Sequence, residues 1–144
     1  MPPITRYFIK SGMIYFVLGI VLAFYAELPG VKTGALLLPV YWHMLVIGWL
    51  TQIIMGVSIW MFPRTKKQRQ NIQSFTAVAA FWTLNAGLIL RILAEPFIPI
   101  VQSGLMFTVI IVLSSGLQVL SVIFYLIEIW PRIQPRKRPV RRKS

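Results

Sequence analysis

Cysteine is absent from this chain, aspartate is absent too, and histidine occurs once, at position 43. Without cysteine there are no disulfides, no thiolate metal sites, no iron–sulfur clusters and no covalent haem attachment. Charge is also scarce: 12% of residues are charged, and the acidic ones are Glu27, Glu95 and Glu128 alone. What is abundant is apolar. Hydrophobic residues make up 57% of 144 residues, and the mean hydropathy is +0.73, too oily for a soluble domain of this size. The composition is that of a membrane protein. Fifteen Lys and Arg give a net charge of +12, and in so apolar a chain the first partner this implies is anionic lipid headgroups, not nucleic acid.

A hydrocarbon core of about 30 Å takes roughly 20 apolar residues of helix. Four stretches meet that length, near 8–26, 40–62, 74–94 and 103–130, separated by Pro, Gly and charge. The expected fold is an all-α polytopic membrane protein with four transmembrane helices and a basic, disordered tail over 131–144. The first stretch follows Arg6 and Lys10 as a signal peptide would, but it is long and lacks a small-x-small cleavage site, so it reads as a retained helix. Basic residues cluster before helix 1, between helices 2 and 3 (Arg64, Lys66, Lys67, Arg69) and in the tail from Arg132 to Lys143. The positive-inside rule then places both termini and the middle loop in the cytoplasm, and fits an integral protein of a prokaryotic inner membrane. His43, one turn into helix 2 on these boundaries, falls near the outer face.

Small residues mark packing faces. Gly12, Gly19, Ala23 and Ala26 share a stripe on helix 1, and Thr76, Ala80, Thr83 and Gly87 share one on helix 3. Helix 4 carries Thr108, Ser115, Gln118 and Tyr125 on one face with Ser114 and Ser121 beside them. That face either packs against neighbours or lines a cofactor cavity. Arg91 and Glu95, four apart at the end of helix 3, form an ion pair without any ligand. Helix 3 runs outward and helix 2 inward, so Arg91 also matches the depth of His43, where a guanidinium could hold a cofactor carboxylate.

A histidine within a membrane-length apolar run asks for a reason, and its main alternatives are a hydrogen-bonded structural role and metal ligation. Here His43 is followed by Gly48-Trp49, Gly56, Trp60 and Pro63. This pattern resembles the second transmembrane helix of the haem–copper oxidase catalytic subunit superfamily, nearest the branch of cbb3-type oxidases and nitric oxide reductases. The segment Leu84-Asn85-x-Gly87-x-x-x-Arg91-x-x-x-Glu95-Pro96 resembles short subunit-I-like members. The resemblance implies that His43 is an axial ligand to the iron of a non-covalent b-type haem, with Arg91 as a propionate partner and Gly residues making room for the macrocycle. The family's other metal ligands need histidines that this chain lacks, so oxidase chemistry of its own is excluded. The implied function is electron transfer or diatomic-gas binding, with quinol as a candidate electron donor. The remaining axial position falls to Met44, Met106, an exogenous ligand or the His43 of a second subunit in a homodimer. The competing expectation is a haem-free accessory or scaffold subunit of a larger, respiratory-type complex. Small-multidrug-type transport fits four helices but needs an ionisable group in mid-membrane, and all three Glu lie near helix ends.

Overall fold

The computed structural model describes residues 1–31, 34–63, 74–97 and 104–133, so the basic loop between helices 2 and 3, and the tail beyond Ile133, lie outside the described residues. Among the described residues the protein is all helical, with four helices long and apolar enough to cross a membrane. It is an all-α polytopic membrane protein.

Helix α1 spans Pro3–Ala26, starting earlier than hydropathy indicated because Pro3 occupies the first helical position, where its missing N–H costs nothing. A tight turn follows in which Gly30 adopts φ 92° and Val31 N–H donates to Leu28 O at 3.2 Å. Helix α2 spans Gly34–Met61 and also starts early, running through Pro39. It has three parts: α-helix Gly34–His43, π-helix Met44–Thr51 and α-helix Gln52–Met61. His43 is therefore ten residues into the span, and the one-turn placement is corrected: a proline in the second turn did not end the helix. Helix α3 spans Phe75–Ala94 and tightens into a 3₁₀ turn, Glu95–Phe97. Helix α4 spans Leu105–Ile133, so Pro131, Arg132 and Ile133 are its last turn and not the start of a tail.

The small-residue stripes pack as helix faces. A Cβ at Gly12 would stand 3.2 Å from Ile53 Cδ1, and one at Gly19 would stand 2.9 Å from Leu45 Cδ2, so the α1 stripe seats α1 on α2. On the other side, Ser114 donates to Gly87 O at 2.8 Å and Ser121 to Ala80 O at 2.7 Å, joining α4 to α3. The buried serines of α4 thus satisfy α3 carbonyls, while Thr108 is exposed and Ser115 donates to its own Ile111 O at 2.9 Å. That polar face is a packing surface rather than a cavity wall.

Two apolar clusters join the hairpins. Ile4, Phe8, Met55, Ile59, Ala77, Ala80 and Leu84 form one, nearer the basic end; Tyr15, Val40, Met44 and Leu88 form the other. Between them lies a polar bridge within the bundle: fully buried Gln52 contacts Ser11 of α1 and donates from Nε2 to Asn85 Oδ1 of α3 at 3.1 Å. Asn85 Nδ2 in turn donates to Phe81 O at 2.8 Å. At the basic end, buried Glu128 accepts from Ser74, Thr76 and Arg132, while Arg132 Nη1 donates to Ile59 O at 2.9 Å. One ion pair thereby ties α2, α3 and α4 together, with both charges hydrogen-bonded as burial requires.

Candidate functional site

At the opposite end, the structure brings His43, Glu95 and Arg91 together. His43 Nδ1 lies 2.7 Å from Pro39 O and 3.1 Å from Glu95 Oε2. Glu95 Oε1 accepts from Arg91 Nε at 3.1 Å, and Arg91 Nη1 donates to Ser115 Oγ at 2.8 Å. The chain of contacts therefore runs α2 to α3 to α4. The depth match read from the charge pattern holds in space, with Glu95 standing between the two predicted residues.

The protonation pattern follows from the partners. Both atoms facing Nδ1 are acceptors, so Nδ1 carries the proton, and its single hydrogen goes to the nearer one, the Pro39 carbonyl. Glu95 Oε2 stays close to the imidazole but without a hydrogen bond, on a residue only 7% exposed. The short approach of imidazole and carboxylate is thus a close contact and not a second hydrogen bond. In the neutral ring, Nε2 is then the nitrogen with a lone pair. No hydrogen bond within the described residues occupies it, and the side chain is 25% exposed. His43 also lines a groove of about 230 Å³, together with Trp42, Val46 and Ile47.

Several expectations change at this point. Gly48 and Gly56 do not make room for a macrocycle: a Cβ at Gly48 would stand 2.7 Å from Tyr15 Cγ and 2.9 Å from Leu88 Cδ2, and one at Gly56 would stand 2.8 Å from Phe8 Cβ. The space beside these glycines is filled by α1 and α3. Met44 lies buried in the core cluster and Met106 is exposed near the start of α4, so neither lines the groove with His43. Arg91 is where it was expected but already serves Glu95 and Ser115, with 21% of its side chain exposed. Among the described residues no three His, Cys, Asp or Glu side chains gather as a metal site. Sequence reasoning missed that the Glu95 side chain meets His43, and it missed the Gln52–Asn85 bridge. The signals were there, since Glu95 is one of only two carboxylates, with Glu27, at the bundle end that holds the single imidazole. No family model matches the chain, and neither a curated protein nor a solved structure is significantly similar to it.

Proposed function

We propose that this chain is a haem-binding membrane subunit that presents His43 Nε2 as an axial ligand for a non-covalent b-type haem. One observation carries this reading: Nδ1 is placed to donate to Pro39 O with a carboxylate against it, which leaves Nε2 unbonded on a side chain that lines a groove. Ligating histidines are held in this way, with the second nitrogen donating to a carbonyl or carboxylate that sets the tautomer and raises ligand basicity. The bound haem would supply one-electron transfer or diatomic-gas binding. Arg91, held by Glu95 and Ser115, offers its guanidinium as the counter-charge for a propionate at the same depth.

The fit is partial within one chain. About 230 Å³ falls below the roughly 300–1,000 Å³ of pockets that enclose drug-sized ligands, and the bundle interior is packed. The haem therefore lies on the flank of α2, covered by a second copy of this chain or by a larger respiratory-type subunit. A twofold arrangement would supply two His43 side chains from a sequence with one. The location that suits this role is a prokaryotic inner membrane, with anionic lipid against the basic segments and a lipid-soluble quinol as electron donor.

The second reading is a haem-free accessory subunit. It is favoured by the way His43, Glu95, Arg91 and Ser115 contact one another in a chain across three helices, as a purely structural cluster would. Purified protein from haem-replete cells separates the two: a Soret band lost in His43→Ala supports the first, and a colourless folded protein supports the second. Carbon monoxide added to the reduced form then reads the sixth position, shifting the band of an open site and leaving a bis-histidine site unchanged.

A further inference from the structure

The π-helix Met44–Thr51 is eight residues long, well beyond the single-turn bulge in which this conformation is ordinarily met. Its consequence is visible in which residues of α2 face outward. Leu38, Trp42, Val46, Leu50 and Ile54 are exposed, while Val40, Met44, Gly48, Gln52 and Gly56 are buried. Both stripes repeat every four residues. An α-helix advances about 100° per residue, so a stripe of period four would drift by about 40° at each step and by about 160° between Leu38 and Ile54. In an unbroken α-helix that kept Leu38 outward, Gln52 would stand about 40° from it and face lipid. His43 and Gln52, nine positions apart, would then lie two and a half turns apart on opposite faces.

The structure has neither outcome. His43 meets Glu95, and Gln52 meets Asn85, so both address α3. A π turn closes i→i+5 and takes up about one residue more than an α turn, which reduces two and a half turns between these residues to about two. We propose that Met44–Thr51 is a register insert whose role is to turn His43 and Gln52 to the same neighbour, and that Gly48 and Thr51 are its positioning residues. Thr51 Oγ1 donates to Val46 O at 2.8 Å across the five-residue step that a π turn closes. Gly48, at the middle of the segment, lets Tyr15 and Leu88 close on the widened turn. The insert spares buried Gln52 a lipid-facing position, where its amide would lack partners. It also sets the direction of His43. Only the meaning of that direction for an axial ligand rests on the haem reading; the register itself does not.

The chain has no cysteine, so single thiols can be introduced and spin-labelled without removing any. Collision rates of dissolved oxygen with nitroxides at each position from 38 to 56 in bilayers should peak at 38, 42, 46, 50 and 54, with a minimum at 52. Maxima that drift to 45, 49 and 52 would show an unbroken α-helix and overturn the proposal. A second test removes Leu50, a lipid-facing residue of the insert. Thiol cross-linking should then keep both pairs, His43→Cys with Glu95→Cys and Gln52→Cys with Asn85→Cys, because an α-helix one residue shorter spans nearly the same two turns. Loss of either pair, as a deletion from an ordinary α-helix would give, overturns the proposal. The oxygen scan needs no deletion and is made on haem-free protein, so failure here is distinct from failure of the haem assignment.

Discussion

Gly48→Ala is the sharpest packing test the structure offers. A Cβ added there would stand 2.7 Å from Tyr15 Cγ, 2.8 Å from Tyr15 Cβ and 2.9 Å from Leu88 Cδ2. Two of those atoms are next to or close to the α1 backbone, so a rotamer change of Tyr15 does not relieve the contact; α1 itself must move. Overpacking of a well-filled core costs about 1–3 kcal/mol, which is roughly a five- to 150-fold change in the unfolding equilibrium. Gly116→Ala is the matched control, because no atom lies within 4 Å of a Cβ at that position. Both variants would be compared in the same detergent, by thermal unfolding or by equilibrium denaturation with a helix-sensitive probe. The expected result is a clear destabilisation for Gly48→Ala and none for Gly116→Ala. Equal stability of the two would mean that Gly48 faces open space, and the packed-interior account, with the flank position for haem that follows from it, would be wrong.

Asn85→Leu removes the acceptor of Gln52 Nε2 inside the bundle; the expected loss is about 0.6–1.7 kcal/mol, and the double variant Gln52→Leu/Asn85→Leu should lose less than the two single losses summed. Arg132→Met takes the Arg132 guanidinium from Glu128, buried beside Ser74 and Thr76, and should cost about 3–5 kcal/mol, with Glu128→Gln/Arg132→Met recovering much of it in the same denaturation assay. Arg91→Leu should weaken haem retention through dialysis more than Arg64→Leu does; equal retention would leave Arg91 as the partner of Glu95 and Ser115 alone. A thiol at Glu27, by the turn between α1 and α2, should react with a membrane-impermeant maleimide from outside the cell, and one at Ser74 should not; the reverse pattern would invert the orientation taken from the basic residues.

The number of helices was legible in the sequence because it depends on length and on coarse composition. Four apolar runs and small-residue stripes suffice for a bundle of this kind, and Gly12, Gly19, Ala80 and Gly87 pack where helical spacing put them. Helix ends were less legible. Pro39 and Pro131 read as boundaries, yet both lie inside helices, because a helix in the bilayer keeps its remaining hydrogen bonds even where one is forfeited. The site was half legible. The match in depth between His43 and Arg91 follows from antiparallel helices, but which residue meets His43 depends on azimuth, and azimuth in α2 is set by the π segment. The four-residue spacing of Gly48, Gln52 and Gly56 carries that information in the sequence. Without a structure it reads as ordinary small-residue packing, and the same glycines read as space for a macrocycle when they are in fact filled by Tyr15, Leu88 and Phe8.

The function proposed for this protein depends on what His43 Nε2 does. The most direct measurement is the absorption spectrum of the full chain purified from haem-replete cells, beside that of His43→Ala carrying the same helix content. The predicted result is a Soret band in the first and its loss in the second. A colourless wild-type protein, or a Soret band of equal strength in His43→Ala, contradicts the haem assignment and leaves His43 as the structural partner of Pro39 and Glu95.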